Sequence, residues 1–326
     1  MFISKEKVTS SHSTSLAQVS GFLAICATML LSSCSKPDDV MPATAPTPSA
    51  VDEGVFGNGV NLQPSYYNNG NVNIGWSLMR QQSKIRTVRI EIEPDKVSQA
   101  KTWIRDARSN GYTVIATYHK ASVLGSDAAS ELTAAANWWR SNYGTLAASG
   151  SFTVNLMNEW GSHSISSNAY ASAYNNAISI VRQVYSGSII IDIPGYGQET
   201  RTAADAVKGT NGTRINDTNI ILSTHIYPGA YNQGRNRSMI NADLDEMGSV
   251  GRSCIVGEFG NDSGGYTGAN WSGLVDYAKS KGWTVLAWCW NGDGGNMNMV
   301  TPAWKNNATA TSYSLSSYFN VAYAKL

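Results

Sequence analysis

Two glutamates stand where chemistry is possible. Glu159 and Glu258 each follow directly on an apolar, β-rich run, within Asn158-Glu159-Trp160 and Gly257-Glu258-Phe259. Paired carboxylates suit a reaction in which one group donates a proton while the other attacks a carbon or activates water. Hydrolysis of a glycosidic bond is such a reaction. A single glutamate at a strand end is most often a solvated loop carboxylate. Two of them, with Arg89, His119, His225, Tyr227 and Trp288 on other runs, form a pattern that random placement seldom produces. Metal chemistry is the rival for any set of His and Glu. His119, His163 and His225 are scattered along the chain, and no His-x-x-x-His occurs. Neither a metal nor a cofactor is expected.

Further side chains are open to two readings. Trp160 and His163 follow Glu159 and either line a subsite or sit on an exposed loop. Tyr196 and Gln198 follow the fifth run and either face the cleft or turn away from it. Tyr118 reads equally as core or ligand, and Trp138-Trp139 reads as packing on a helix.

The elements that must position these groups alternate. Eight β runs cover Val55–Leu62, Ile85–Ile92, Thr113–Tyr118, Phe152–Met157, Ser188–Ile193, Ile220–Tyr227, Cys254–Phe259 and Trp283–Trp290. Most are near-continuously apolar, which suits parallel strands covered on both faces. Between them, Val97, Ala100, Ile104 and Ala107 recur at helical spacing. So do Leu132, Ala135, Ala136 and Trp139, then Tyr170, Tyr174, Ala177, Ile178 and Val181, then Trp271, Leu274, Val275 and Ala278. Weaker helical patterns lie near 72–81, 200–208, 237–250 and 312–325. Eight strand–helix units in about 270 residues is the arithmetic of an α/β fold closed into a single (β/α)8 TIM barrel. An open doubly wound sheet would carry a Gly-rich phosphate loop after its first strand, and Asn61-Leu62-Gln63 stands there instead. In a barrel the C-terminal strand ends share one rim, which is where the polar groups fall.

Composition removes whole classes of function. Lys and Arg total 24 against 23 Asp and Glu, a formal charge of +1, so nothing drives nucleic-acid binding. With 42% apolar and 14% charged residues the chain is no disordered protein.

Residues 1–33 read as an export leader. An apolar stretch from Gly21 to Leu31 is too short to span a bilayer. It ends in Leu31-Ser32-Ser33-Cys34, which resembles the lipobox of bacterial lipoproteins. That resemblance implies cleavage before Cys34 and lipid on its sulfur, hence an exported chain anchored to a bacterial membrane by lipid alone. Residues 34–53, with Pro37, Pro42, Pro46 and Pro48, read as a stiff tether, leaving 54–326 as one catalytic domain. Of the cysteines then left, Cys254 and Cys289 are expected as free thiols. If Glu258 and Trp288 share a rim, the two are offset by about five residues along neighbouring strands, roughly 16 Å.

Residues 54–326 resemble glycoside hydrolase family 5, on Val88-Arg89-Ile90, Tyr118-His119, Asn158-Glu159-Trp160, His225-Ile226-Tyr227, Gly257-Glu258-Phe259 and Ala287-Trp288. Within that family, Asp192-Ile193-Pro194-Gly195-Tyr196-Gly197-Gln198 together with Asn158-Glu159-Trp160-Gly161 is similar to bacterial endo-β-1,4-mannanases. The resemblance implies that Glu159 is the general acid/base, Glu258 the nucleophile, and Asn158 the partner of the sugar 2-hydroxyl. It implies that Arg89 and Tyr227 hold the nucleophile, that His225 lies near the acid/base, and that His119 and Trp288 line the sugar site. Trp160 and Tyr196 are carried as supporting residues. The function expected is retaining cleavage of internal β-1,4 bonds in mannan, glucomannan or galactomannan, by a monomer. An endo-β-1,4-glucanase and a non-catalytic surface glycan-binding lipoprotein are the alternatives. An arginine beside Glu258 is expected to keep that carboxylate ionised, while Glu159 must begin protonated.

Overall fold

The computed structural model describes residues 56–326. The leader, Cys34, the tether and the start of the first β run lie outside the described residues.

Eight strands close into an all-parallel barrel. They are β1 Gly59–Leu62, β2 Thr87–Ile92, β3 Thr113–Tyr118, β4 Thr153–Asn155, β5 Ile189–Asp192, β6 Ile220–Ile226, β7 Ser253–Phe259 and β8 Thr284–Asn291. Each is followed by helix: α1 Trp76–Met79, α2 Val97–Ser109, α3 Ala129–Ala147, α4 Ser167–Val181, α5 Thr200–Lys208, α6 Asn241–Gly248, α7 Trp271–Ser280 and α8 Ser317–Tyr323. The chain is therefore the (β/α)8 barrel that the alternation implied. Of the weaker helical patterns, 200–208 is α5 over its whole length and the other three shrink to α1, α6 and α8, and a two-stranded hairpin, Tyr231–Asn232 with Arg237–Ser238, precedes α6. The helix ends follow capping chemistry. Ser166 accepts from the Ala169 N–H ahead of α4, and Asn270 accepts from the Gly273 N–H ahead of α7.

The strands bury two different faces. Val88, Ile90 and Ile92 of β2 join the shell between barrel and helices, together with Ala100, Ile104 and Ala107 of α2. Inside the barrel, Ile115, Ile190, Ile221, Ile255 and Leu286 form a separate apolar cluster with Phe56 packed against it. Above that plug the interior is polar: Asn61, Arg89, Glu91, Thr117, Asn155, Asp192, Ser223 and His225 are all buried. The plug makes the barrel a packed core rather than a pore, and the polar group above it is the footing of the rim.

The register of β7 carries an irregularity that matters. Thr224 of β6 pairs with Val256, but His225 pairs with Glu258, so Gly257 is the extra residue of a bulge. The neighbouring strand skips at the same place, with Val285 opposite Val256 and Ala287 opposite Phe259. A bulge turns the following side chain to the other face. Here it brings Glu258 to the interior beside His225. A Cβ at Gly257 would stand 2.2 Å from Ser223 Oγ, so no larger residue fits the bulge unshifted.

Cys254 and Cys289 are free and buried. Thr284 pairs with Ile255, so the two thiols lie at opposite ends of adjacent strands, as the register argument required.

Candidate active site

Arg89 is the centre of the site. It is fully buried on β2, and every donor it offers is used. Its Nε donates to Asn155 Oδ1 at 2.9 Å. One terminal nitrogen donates to Asn61 Oδ1 at 2.9 Å, Glu91 Oε1 at 3.0 Å and Glu258 Oε1 at 2.9 Å. The other donates to Asn158 Oδ1 at 2.6 Å and reaches Asp192 Oδ2 at 3.3 Å. Tyr227 donates its hydroxyl to the second oxygen of Glu258 at 2.7 Å. Both Glu258 oxygens are thereby held, which fixes the rotamer of its side chain.

Glu159 sits at the end of the fourth strand segment with φ +48°, a left-handed conformation that bulky residues seldom adopt. The backbone there is restrained by the Glu159 N–H, which donates to Asp192 Oδ2 at 3.1 Å. Its carboxylate lies 2.8 Å from His225 Nδ1. The opposite nitrogen, His225 Nε2, lies 3.6 Å from Asp192 Oδ2. Nδ1 is also 3.6 Å from Glu258 Oε2. Glu159, His225 and Glu258 thus present atoms within 4.8 Å of one another. A cation could share such a triangle, but its corners are already engaged by Arg89, Tyr227 and each other.

Burial disfavours every charge here, and the partners decide who keeps one. Burial opposes a protonated His225, yet the Glu258 and Asp192 carboxylates hold it protonated well above its usual range. Burial pushes the Asp192 carboxyl up, but His225 and Arg89 overcome it and hold the group below the usual carboxylate range. For Glu258 burial wins: the carboxyl is pushed up to about 7 against the pull of His225 and Arg89. Arg89 pulls in the direction expected of it, but burial outweighs that pull. The guanidinium is shared among three carboxylates, so only part of its field serves Glu258.

A cavity of about 1170 Å³ opens over this cluster. His119, Asn158, Glu159, His163, Tyr196, Gln198, Tyr227, Glu258 and Trp288 line it. His119 contacts the Tyr66 hydroxyl and lies 3.4 Å from Glu91, and Trp288 donates to Asp293 Oδ1 at 3.1 Å. Arg89 and His225 stand behind the lining, and all ten positions named from the sequence except Trp160 belong to this site. Trp160 is fully buried away from it. Its ring stacks on Tyr170 at 5.9 Å, and its Nε1 donates to the Ala128 carbonyl. The reversed backbone at Glu159 is the reason, since it sends the next side chain under the rim instead of over it. Tyr118 and Trp139 are core, Trp138 donates to the Pro94 carbonyl, and Trp290 is buried with its Nε1 on the Ile74 carbonyl.

Glu91 and Asn155 were not singled out from the sequence, and Asp192 and Asn61 were quoted within segments without a role of their own. A signal existed in β2, where Arg89 and Glu91 alternate with Val88, Ile90 and Ile92, placing two charges on one face. In β5 the acid closing Ile189–Asp192 was the comparable sign.

Comparison with known proteins agrees with the geometry. A family model described as cellulase (glycosyl hydrolase family 5) matches residues 68–294. The chain is 25% identical over 208 residues to a mannan endo-1,4-beta-mannosidase of Streptomyces lividans, across 62% of this chain and 52% of that protein. It therefore spans about half the length of the curated relative. In fold it is similar to the catalytic domain of a mannanase from Streptomyces sp. SirexAA-E, with TM-score 0.66, 19% identity and 83% and 85% of the two chains covered. It is also similar to the catalytic domain of an endoglucanase from Thermobifida fusca, with TM-score 0.65, 17% identity and 83% and 91% covered.

Proposed function

Because the chain belongs to glycosyl hydrolase family 5, we propose that it is a retaining endo-glycosidase that cleaves internal β-1,4-mannosidic bonds of mannan, glucomannan or galactomannan. The observation that carries the reading is the approach of Glu159 to Glu258, with one oxygen of each carboxyl within 4.8 Å of the other. Retaining enzymes hold their two carboxyls about 5–5.5 Å apart, whereas inverting enzymes leave about 6.5–9.5 Å for a water between them.

In this mechanism Glu159 protonates the departing glycosidic oxygen while Glu258 attacks the anomeric carbon and forms a glycosyl ester. Glu159, now a carboxylate, takes a proton from water, which attacks the same carbon and frees Glu258. His225 braces the acid from one side, and Arg89 with Tyr227 holds the nucleophile's two oxygens. Asn158, pinned by Arg89, is placed for the hydroxyl beside the anomeric carbon. Mannan is favoured over glucan by the curated relative. An endo-β-1,4-glucanase is the second reading, favoured by the likeness to the Thermobifida endoglucanase fold. A pure glycan binder would need neither carboxylate so placed. Lipid at Cys34 and a Pro-rich tether complete the proposal, which puts the domain at a bacterial membrane.

Product release from β-mannan and from carboxymethyl-cellulose, measured side by side, tests it. Faster release from mannan, with the anomeric configuration of the first-formed product retained, is expected. Faster release from carboxymethyl-cellulose would move the assignment to the glucanase, and inversion would remove the double displacement.

A further inference from the structure

The fifth strand ends in a carboxylate that the reaction leaves unused. Asp192 closes β5, is fully buried, and is not among the residues that line the cavity over Glu159 and Glu258. It therefore meets no substrate. In the barrel β5 lies between β4 and β6. Glu159 follows β4 and His225 belongs to β6, so Asp192 stands between the acid and its histidine partner. One oxygen, Oδ2, faces three groups. The Glu159 N–H donates to it at 3.1 Å, an Arg89 terminal nitrogen donates to it at 3.3 Å, and His225 Nε2 lies 3.6 Å away. The last is an ionic distance rather than a hydrogen bond.

Asp192 is itself held. The Tyr170 hydroxyl of α4 donates to its carbonyl at 2.7 Å, and its Oδ1 accepts from the Asn155 amide at 3.4 Å. Both groups that lean on it need such an anchor. Glu159 has φ +48°, and its N–H finds its acceptor in Asp192 rather than in a strand. Its carbonyl accepts from the Gly125 N–H at 2.8 Å, so the reversed residue is tied on both sides. The His225 ring has two orientations about its Cβ–Cγ bond. In the one present, Nδ1 lies 2.8 Å from Glu159 and Nε2 faces Asp192. The flipped ring would turn carbon toward both acids, and a buried carboxylate short of partners is costly. The Asp192 charge thus favours the ring orientation that serves Glu159. Glu91 gives the contrast. It is the other non-reacting carboxylate on Arg89, at 3.0 Å, yet its further partners are Gln63 and His119.

We propose that Asp192 is a positioning residue of the acid/base. It holds Glu159 by the backbone and His225 by the ring, and so aims the Glu159 proton at the departing oxygen. No proton passes through Asp192, which keeps its charge throughout. This rests on the glycosidase reading above and adds a residue to the acid half of that mechanism. A general acid acts only when its proton lies along the path to the leaving oxygen. The two oxygens of Glu258 meanwhile stay with Arg89 and Tyr227. Loss of Asp192 should therefore harm cleavage where the leaving group needs a proton and spare it where the leaving group needs none.

The test compares two substrates on the full chain: mannohexaose, whose leaving sugar needs protonation, and a dinitrophenyl β-mannobioside, whose leaving group does not. Their cello-series counterparts are run alongside. The quantity read is kcat/KM, which reports the first chemical step. Asp192→Asn is expected to lower it about 100-fold on the hexaose, within the range one general acid supplies, and less than about fivefold on the aryl substrate. KM for the hexaose should stay at the wild-type value, because Asp192 touches no sugar. Glu91→Gln also takes a carboxylate from Arg89 but leaves the acid alone, so its losses on the two substrates should be alike. If Asp192→Asn does not fold, the same ratio is read on Asp192→Glu, which keeps the charge and displaces it by one methylene. A folded Asp192 variant that loses both activities equally, or neither, would overturn the positioning role and leave the glycosidase reading intact. A wild-type protein that turns over none of these substrates removes the glycosidase reading, and the role of Asp192 falls with it.

Discussion

Tyr227 and Asp192 bear on the charge of the site in different ways. Tyr227 donates to Glu258 Oε2 and so favours the ionised form of a carboxyl that burial pushes up to about 7. Tyr227→Phe removes that donor, so the Glu258 titration rises. The acid limb of kcat/KM against pH is expected to move up by about one unit, equivalent to ~1.4 kcal/mol. A limb that stays put or moves down would show that the phenol does not tune Glu258. Asp192 is held below the usual carboxylate range by His225 and Arg89 after burial is overcome. Its folded titration lies below its unfolded one at about 3.9. The stability it contributes is therefore present above that pH and is lost as pH falls through the folded value. Asp192→Asn leaves Arg89 and His225 short of a counter-charge and should cost about 3 kcal/mol at pH 6. Urea unfolding at pH 6 and pH 3 should show that difference shrinking in acid. A cost independent of pH would mean that shape, not charge, is what Asp192 supplies.

At the scale of the element, the bulge in β7 and the reversed backbone after β4 set the site. Gly257 leaves no room for a Cβ, which would stand 2.2 Å from Ser223 Oγ and 3.2 Å from His225 Nε2. Gly257→Ala should force β6 and β7 apart. The expected cost is about 2 kcal/mol of stability, with a loss of turnover larger than the stability change explains, because Glu258 is the next residue. Thermal unfolding and initial rates check this, and a variant with wild-type Tm and rate would show that the bulge has slack. Trp160 distinguishes packing from recognition. It stacks on Tyr170 and meets Tyr174 edge-on at 5.7 Å, so Trp160→Ala should lower stability by about 3–5 kcal/mol. Wild-type stability paired with a raised KM would instead return Trp160 to the cleft.

At the scale of the whole molecule, the barrel gathers residues from all eight strand ends onto one rim, and the proposed anchor decides where that rim works. Cys34→Ser in the full-length chain should move the protein from the membrane fraction to the soluble fraction of the bacterial cell, with turnover on soluble oligosaccharides retained. Continued sedimentation with membranes would remove the lipid from the proposal. No described helix is long and apolar enough to cross a bilayer.

The sequence by itself determined the barrel, because eight apolar runs separated by helical stripes can bury both strand faces in few other ways. It also pointed to Glu159 and Glu258 as a candidate pair, because strand ends in a barrel share a rim, and the family resemblance then suggested their roles. The strand runs hid the rest. Asn61, Glu91, Asn155 and Asp192 lie within or at the ends of runs that read as apolar, and only closure of the sheet brings them around Arg89. Two local reversals were likewise beyond a reading of spacing. The bulge at Gly257 changes which face Glu258 takes, and the positive φ of Glu159 sends Trp160 into the core. Both depend on contacts with other strands, Ser223 and Asp192 among them, that have no local trace. The charge of Glu258 was decided in the same way. An arginine nearby is legible in the sequence, but its division among three buried carboxylates is a property of the folded interior.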